Sequence, residues 1–300
     1  MTSLTLGSRT SQLALWQSRH MMAALQAVWP GLECAIEPFI TQGDKTLDRP
    51  LPEIGGKGLF TLELEDGLRD GRIDLAVHSL KDLPVDDAPG LTLGAIVGRA
   101  DARDVLVAKD GMTLDALPAG AVVGTSSLRR QAQLLAVRPE LTVRSIRGNV
   151  ETRIHRALHG EYDATLLAGA GVTRLGLDSH ISQWLPLDVM LPAPGQGALA
   201  VQCRADDERT RRLLAAIHND AVAQAVTAER AFLSGLGSGC SVPVGAYATV
   251  EADTIFLRGL VAAPDGSRII RVEASGPSAQ ELGARLAEEA KSQGALELIG

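Results

Sequence analysis

Strand-like apolar runs alternate with helical runs along most of the chain, and this alternation is the strongest constraint on its fold. A helix is predicted over residues 11–29, where apolar side chains recur at helical spacing before Pro30-Gly31. A strand is predicted over residues 32–40, a second helix from about Gly58, and a buried strand over residues 73–77. Strands and helices in alternation indicate a parallel sheet with helices on its faces.

The alternation restarts after residue 101 and changes character near residue 220. The predicted strands of this second unit are residues 105–108, 121–124, 141–146 and 164–167, and its predicted helices are 128–137, 150–158 and a turn near 173–175. Residues 198–203 form another predicted strand, which we expect to return to the first sheet. Beyond residue 220, three predicted strands lie between two helices, residues 221–236 and 279–291, which is typical of a small α+β domain.

Composition excludes several classes of protein. The 300 residues are 45% apolar and carry a formal net charge of −7, which argues against a general nucleic-acid-binding protein. The first residues lack the pattern of a secretory signal, and no apolar run approaches the roughly 18 residues of a membrane span. Cys34, Cys203 and Cys240 are too widely spaced for a disulfide framework or a zinc site. We therefore expect a cytoplasmic protein that binds neither nucleic acid, membrane nor metal.

Arginines concentrated between residues 116 and 150 indicate a site for anions. The sequence Gly124-Thr125-Ser126-Ser127-Leu128-Arg129-Arg130 follows a predicted strand and begins a helix, so it offers donors to an anion. Arg129 and Arg130 would oppose the helix dipole, which a bound anion would explain. The segment contains five bases, Arg129, Arg130, Arg138, Arg144 and Arg147, and a single acid, Glu140.

A second loop of the same kind follows the next predicted strand. It reads Arg147-Gly148-Asn149-Val150, with Arg153 one turn into the helix that follows. Because ligands of open α/β sheets bind at the carboxyl ends of strands, we expect the two loops to form one polyanion site. The alternative is a solvated basic face with ordinary helix caps.

Asp82 is a candidate catalytic carboxylate. It lies directly after a predicted strand, beside Lys81 and before Pro84, where a carboxylate can stabilise a cation or transfer a proton. The alternative is a structural aspartate that caps a turn.

Cys240 is a candidate nucleophile, because it lies in a glycine-rich loop after a helix, whereas Cys34 and Cys203 lie in apolar strand patterns. A free surface thiol remains the alternative. The segment Gly55-Gly56-Lys57-Gly58 lacks the spacing of a phosphate-binding loop, and its pattern alone favours a mobile loop.

Five motifs of this chain, in the same order, resemble those of the porphobilinogen deaminase family. They are VHSLKDLP at residues 77–84, GTSSLRRQ at 124–131, RGNVETR at 147–153, LPAPGQG at 191–197 and TAER at 227–230, and residues 8–17 and 55–60 fit as well. The resemblance implies an α/β fold with two periplasmic-binding-protein-like domains around a cleft, residues 1–98 with 198–217 and residues 102–194. It also implies a small C-terminal α+β domain, residues 219–300.

The resemblance further implies a monomeric transferase of porphyrin and heme biosynthesis. Such an enzyme joins four molecules of porphobilinogen head to tail, with loss of ammonia, into the linear tetrapyrrole hydroxymethylbilane. It builds a dipyrromethane cofactor from its own substrate and attaches it through a thioether to the loop cysteine, which matches Cys240. Asp82 would stabilise the electron-poor azafulvene-like cation and mediate its proton transfers.

The resemblance also assigns the cofactor and the substrate to individual residues. The arginines among them suit the acetate and propionate groups of pyrroles. The cofactor would be held by Cys240, Ser79, Lys81, Asp82, Thr125, Ser126, Ser127, Arg129, Arg130 and Gly148. The substrate would be held by Arg9, Ser11, Gln17, Arg147, Arg153 and Arg174. Lys57, Phe60 and Gln196 would belong to the lid or the cleft.

Two positions depart from the family pattern. Gly237-Ser238-Gly239 lacks the glutamate that commonly begins the cysteine loop, and Glu53 stands where some relatives have lysine. The main alternative function is a two-lobed anion-binding module without catalysis, which would have no need of Cys240. A regulatory ligand-binding domain would require a DNA-binding helix pair, for which the sequence shows no segment.

Overall fold

Three β-sheets organise the chain, whose computed structural model describes residues 3–45, 59–237 and 242–299. In chain order the strands are β1 Ser3–Arg9, β2 Glu33–Phe39, β3 Leu75–Ser79, β4 Leu91–Arg99, β5 Asp104–Ala108, β6 Val122–Gly124, β7 Thr142–Arg144, β8 Ala164–Ala168, β9 Gln183–Trp184, β10 Ala198–Arg204, β11 Val244–Glu251, β12 Thr254–Ala262 and β13 Ile269–Gly276. The helices are α1 Gln12–Val28, α2 Gln42–Lys45, α3 Leu62–Arg69, α4 Leu128–Val137, α5 Val150–Leu158, α6 Gly169–Arg174, α7 Glu208–Ala215, α8 Asp220–Gly235, α9 Ala279–Ser292 and α10 Ala295–Ile299.

The first sheet has the strand order β2-β1-β3-β10-β4. Strand β1 is parallel to β2 and β3, whereas β10 is antiparallel to both β3 and β4. The expected return of residues 198–203 to this sheet is confirmed, but the sheet is mixed rather than wholly parallel. Helix α1 buries Met21 and Leu25 in a cluster with Leu4 and Leu6 of β1, because these side chains recur at helical and strand spacing.

The second sheet has the order β7-β6-β8-β5-β9. Strand β6 is parallel to β7 and β8, and β5 runs antiparallel to β8, with Asp104 opposite Ala168. This sheet too is mixed, because the chain enters β5 at the edge where β8 ends. Helices α4 and α5 have the predicted bounds, residues 128–137 and 150–158.

The third sheet is an antiparallel meander, β11-β12-β13, with α8 and α9 against it. Phe232 of α8 and Leu286 of α9 are fully buried with Leu257 of β12. The α/β class with a small C-terminal unit is therefore confirmed, and each sheet draws its strands from one predicted domain; the domain bounds themselves stay a prediction. Among the described residues, no helix is both long enough and apolar enough to cross a membrane.

Two segments connect the first and second sheets, residues 100–103 and residues 192–197, which we call the crossing segments. They are hydrogen-bonded to each other through the amide of Ala100 and the carbonyl of Gly197, at 3.1 Å. Gly197 has a φ of +89°, and a Cβ there would lie 2.5 Å from the carbonyl oxygen of Ala100, so only glycine allows this approach. Because β5 and β10 are antiparallel to their neighbours β8 and β3, both crossing segments reach their sheets where β8 and β3 end.

Candidate active site

Asp82 lies in a short 3₁₀ turn, Leu80–Asp82, directly after β3. Leu80 is fully buried and fixes the turn, whereas Asp82 is exposed. Beyond the turn, the guanidinium of Arg230 in α8 donates to the backbone carbonyls of Leu83, Pro84 and Val85, at 3.3, 2.7 and 3.0 Å. The carboxylate is thus held at the carboxyl edge of the first sheet, open to a ligand.

The two loops predicted to bind anions lie side by side, because β6 and β7 are adjacent and parallel. The Oγ of Ser127 caps α4 by accepting from the amide of Arg130 at 3.5 Å, and the amide of Ser127 donates to the Oγ1 of Thr125 at 3.2 Å. The Oγ of Ser126 lies 2.8 Å from that of Ser145 and donates to the carbonyl of Ile146 at 2.7 Å. These hydroxyls therefore shape the loops and join them.

Arg129 and Arg130 are buried and share the carboxylate of Asp104. Nη1 of Arg129 donates to Oδ2 at 2.7 Å, and Nη2 and Nε of Arg130 donate to Oδ1 at 2.7 and 3.1 Å. Burial raises the pKa of Asp104, but the two guanidiniums outweigh it and hold the pKa below its ordinary value. A carboxylate of the chain itself thus accounts for the two arginines that the sequence attributed to a bound anion.

Asp104 was missed because it lies outside the arginine-rich segment whose charges were counted. The signal in the sequence was an acid at the start of an apolar run, DVLVA, all of which is buried. Two arginines of that segment serve elsewhere: Arg138 bonds Glu140 and the carbonyls of Leu114 and Leu117, and Arg144 lies over the ring of Tyr162. The local charge excess therefore overstated the number of arginines at the site.

Gln196 joins the two sheets through its side-chain amide and is fully buried. Its Nε2 donates to Oδ1 of Asp104 at 2.8 Å and to the carbonyl of Ala102 at 2.7 Å, while its Oε1 accepts from Nζ of Lys81 at 3.2 Å. Gln196 was predicted at the lid or the cleft, and the structure places it in the second crossing segment, between a cation of the first sheet and a carboxylate of the second.

Lys81 has a strongly lowered pKa. Burial, together with the nearby Arg130 and Arg129, lowers this pKa to about 8 against the opposing effects of Asp82 and Asp104. The ammonium is therefore close to its titration point near neutral pH.

Arg153 brings the second anion loop into the same site. Its Nε donates to the carbonyl of Gly148 at 2.8 Å, and Gly148 has a φ of +115°, which favours glycine. Burial lowers the pKa of Arg153 to about 10, with Arg130 and Arg147 adding to that effect and Asp82 opposing it. Asp82 of the first sheet is therefore within electrostatic reach of the arginines of the second.

Five cations form what we call the cationic cluster: Lys81, Arg129, Arg130, Arg147 and Arg153. Their charges influence one another's pKa values, and among the described residues Asp82 and Asp104 are the carboxylates that oppose them. Burial also lowers the pKa of Arg129 and Arg147. Among the described residues, the site thus contains more positive than negative charge, with Arg129 and Arg130 buried and the other three cations half-buried.

Other predicted residues of the first sheet and of α6 have contacts of their own. The guanidinium carbon of Arg9 lies 4.3 Å from the ring centre of Phe60. Ser11 caps α1 by accepting from the amide of Ala14 at 3.3 Å, and Nε2 of Gln17 donates to Oγ of Ser79 at 2.8 Å. Lys57 and Cys240, together with Glu53 and Ser238-Gly239, lie outside the described residues.

Arg174 is the last residue of α6, and it reaches the second crossing segment. Its Nη2 donates to the carbonyl of Gly197 at 2.7 Å, and its guanidinium carbon lies 5.7 Å from the ring centre of Trp16 in α1. Burial lowers its pKa to about 10. This arginine of the second sheet therefore contacts a helix of the first.

Matches to known proteins extend over nearly the whole chain. The family model described as "Porphobilinogen deaminase, dipyromethane cofactor binding domain" matches residues 4–212, and "Porphobilinogen deaminase, C-terminal domain" matches residues 223–292. A porphobilinogen deaminase of Roseiflexus sp. (strain RS-1) is 52% identical over 299 residues, 99% of this chain and 98% of the relative.

Two solved structures are more distant. The periplasmic VFT2 domain of Bordetella pertussis BvgS aligns with a TM-score of 0.44 at 17% identity, over 74% of this chain and 90% of that one. A reduced form of OxyR from N. meningitidis has a TM-score of 0.44 at 14% identity, over 72% and 94%. The matches of the two family models and of the Roseiflexus relative show that the chain belongs to the porphobilinogen deaminase family.

Proposed function

We propose that Asp82 and the cationic cluster carry out the family's reaction in this chain. That reaction joins four molecules of porphobilinogen head to tail, with loss of ammonia, into the linear tetrapyrrole hydroxymethylbilane, so the chain is a transferase of porphyrin biosynthesis. The observation that carries the residue assignment is the excess of positive charge around Asp82 among the described residues. Carboxylates of a ligand are the counter-charges that such a site requires.

The donors of this site fit a dipyrromethane, whose two pyrroles each carry an acetate and a propionate. Burial lowers the pKa of several arginines of the cluster, so a carboxylate that binds them recovers free energy lost on folding. Lys81, Arg129 and Arg130 would hold these carboxylates, with Ser79 and the loops at Thr125-Ser126-Ser127 and Gly148 around them. When bound, the dipyrromethane supplies the pyrrole end to which further pyrroles are added.

Asp82 would act on the incoming substrate. When ammonia leaves porphobilinogen, the positive charge of its ammonium group passes to the remaining methylene-pyrrole, and an adjacent carboxylate stabilises that charge. The carboxylate of Asp82 can also take up the proton released when a new carbon–carbon bond forms. Because Asp82 is exposed at the end of the 3₁₀ turn, a substrate can reach it without rearrangement of the fold.

The remaining predicted residues would bind the carboxylates of the substrate. Arg9 is fixed against Phe60 by one face of its guanidinium, and its N–H groups are the kind of donors that a carboxylate accepts from. Arg174 is fixed by one nitrogen on Gly197. Ser11, Gln17, Arg147 and Arg153 complete this proposed set, and Lys57 would belong to the lid.

Intact-mass measurement of the purified protein tests this function at Cys240. We expect a mass increase of one dipyrromethane in the native chain and its absence in Cys240→Ser. Cys203→Ser is the matched control and should keep the adduct, because Cys203 is buried and burial raises the pKa of its thiol to about 11. Native enzyme that turns over without the added mass would contradict the proposal.

We further propose a monomer that works in the cytoplasm on this small molecule and binds no nucleic acid. The net charge of −7 supports the exclusion of nucleic acid, since a polyanion would be repelled. The proposed domains are residues 1–98 with 198–217, 102–194 and 219–300, and the strands of the three sheets support them. Light scattering after size-exclusion chromatography tests the oligomeric state.

A further inference from the structure

Asp104 is the first residue of β5, where the chain enters the second sheet after the first crossing segment. Its side chain is fully buried, and both of its oxygens accept hydrogen bonds, from Arg129, Arg130 and Gln196. No step of the proposed reaction uses this carboxylate directly. Three of these four hydrogen bonds come from Arg129 and Arg130, which are proposed to bind the cofactor. The fourth comes from Gln196, which contacts Lys81, another proposed cofactor ligand.

These contacts fix the direction of both guanidiniums. Arg130 turns its Nε and Nη2 edge to Asp104 and gives Nη1 to the carbonyl of Leu166 at 3.0 Å. Arg129 divides Nη1 between Asp104 and the carbonyl of Leu191, at 2.7 Å each. Because a guanidinium is planar and rigid, these bonds also set where its remaining N–H donors point, among them Nε and Nη2 of Arg129.

Asp104 also orients Lys81, although the two residues belong to different sheets. The Nε2 group of Gln196 faces two acceptors, Asp104 and the carbonyl of Ala102, and only the donor end of an amide can satisfy both. The Oε1 end is therefore turned to the ammonium of Lys81. The carboxylate of Asp104 thereby orients three cations. It contacts Arg129 and Arg130 directly, and it acts on Lys81 of the first sheet through Gln196.

The charge of Asp104 matters as much as its hydrogen bonds. The groups that influence Lys81 are Asp82 and Asp104, which raise its pKa, and Arg130 and Arg129, which lower it together with burial. Among the described residues that influence the pKa of Lys81, removal of the Asp104 charge would leave Arg129 and Arg130 opposed by Asp82 alone. Lys81 would then lose its proton at a lower pH.

We propose that Asp104 is a positioning residue for the cationic cluster, which aims Arg129, Arg130 and, through Gln196, Lys81 at the carboxylates of the dipyrromethane. This inference rests on the proposed function for the identity of the ligand. It assigns Asp104 no contact with the ligand itself.

Asp104→Asn tests the proposal in the full chain, produced in cells that make no porphobilinogen so that it is purified without the cofactor. Porphobilinogen is then added, and the appearance of the adduct on Cys240 is followed by intact mass at several pH values. We expect adduct formation to be slower by about tenfold or more, as for the loss of an oriented hydrogen bond between charged groups. We also expect the pH above which it slows to shift downward, because Lys81 is less readily protonated.

Asp74→Asn is the matched control. Asp74 also pairs with an arginine, Arg204, at 3.2 Å, and it accepts from the amide of Thr5. It precedes β3, whereas Asp82 follows β3, so the two acids lie at opposite ends of this strand. A variant that only lost stability would form the adduct more slowly at every pH, and the pH at which the rate is half-maximal would stay unchanged. We expect this result for Asp74→Asn. A folded Asp104→Asn chain with the wild-type rate and midpoint overturns the proposal.

Gln196→Leu provides a second test that keeps the ion pairs of Asp104 with both arginines, in case Asp104→Asn does not fold. Loss of the Gln196 oxygen removes an acceptor from the ammonium of Lys81, so the pH midpoint should again shift downward. An unchanged midpoint overturns the relay through Gln196. A wild-type chain that forms no adduct contradicts the proposed function instead, so the two failures are distinguishable.

Discussion

Glu229 of α8 accepts two hydrogen bonds from the guanidinium of Arg99, at 2.6 and 3.1 Å, in a position that solvent does not reach. The same carboxylate accepts from the backbone amides of Gly195 and Ala248, at 2.7 Å each. Arg99 ends β4, Gly195 lies in the second crossing segment, and Ala248 lies in β11. A single buried side chain therefore connects the first sheet, a crossing segment and the third sheet.

Glu229→Gln should lower the free energy of unfolding by about 3 kcal/mol, because removal of one partner leaves the Arg99 charge buried and uncompensated. The new amide would also direct an NH₂ group at existing donors. Denaturant titration of the full chain measures the effect. Glu288→Gln, whose pair with Lys291 is largely exposed, is the control and should change stability far less. Equal losses in the two variants would contradict the role of Glu229.

Asp82→Asn should keep the fold and the adduct but lower turnover by about 10²- to 10⁴-fold, because the amide can neither stabilise the developing cation nor accept a proton. Circular dichroism and intact mass verify the fold and the adduct before product formation is measured. Asp87→Asn, an exposed acid five positions further on, is the matched control. Near-normal turnover of the loaded Asp82→Asn enzyme would exclude Asp82 from the chemistry.

Assembly of the dipyrromethane on cofactor-free protein should slow as the pH rises through about 8, where free Lys81 loses its proton. The protonated form binds carboxylates, and a bound carboxylate raises the pKa of Lys81, so binding takes up a proton in this range. We expect the rate of adduct formation from porphobilinogen to be flat below this pH and to decrease above it. In Lys81→Arg the charge persists, and that decrease should disappear. Titration of porphobilinogen itself affects both proteins equally. Identical pH profiles of the wild-type chain and Lys81→Arg would therefore show that Lys81 does not cause the pH dependence.

Arg230→Met should lower kcat by about tenfold or more with little effect on KM, because the loop behind Asp82 loses its three hydrogen bonds while the cationic cluster stays in place. Arg230→Lys should recover part of the rate, since one ammonium can still reach a carbonyl. Arg285→Met, which removes one exposed bond to the carbonyl of Ser275, is the control. If Arg230→Met and Arg285→Met lowered kcat by the same factor, Arg230 would not be positioning Asp82.

Sequence patterns predicted helices well where caps and stop signals are strong. Helices α4 and α5 have the predicted bounds, with Ser127 and Asn149 as caps. Strand β4 was missed because Gly94 and Gly98 interrupt its apolar pattern, and α7 was missed because only Thr210 and Leu214 of its eight residues are buried. Local patterns carry little signal in such elements, which are stabilised by packing against the rest of the fold.

The candidate site was predictable only in part. The sequence placed the two loops with Arg129 and Arg153 at one sheet edge, as observed. The family resemblance put Gln196 at the lid or the cleft, but no pattern predicted its contact with Asp104, because that contact spans 92 residues and depends on β5 and β10 running antiparallel to their neighbours. Parallel alternation alone would put the start of each strand at the opposite edge from the ligand.

The position of the crossing segments has a consequence for how a growing chain is accommodated. A rotation of the first sheet relative to the second would have to bend the chain at residues 100–103 and 192–197, the two segments that connect them. Asp104 follows the first segment and Gln196 lies in the second, so such a rotation would displace them less than loops farther out. It would then widen the outer part of the site for an added pyrrole while the contact of Gln196 with Asp104 is kept.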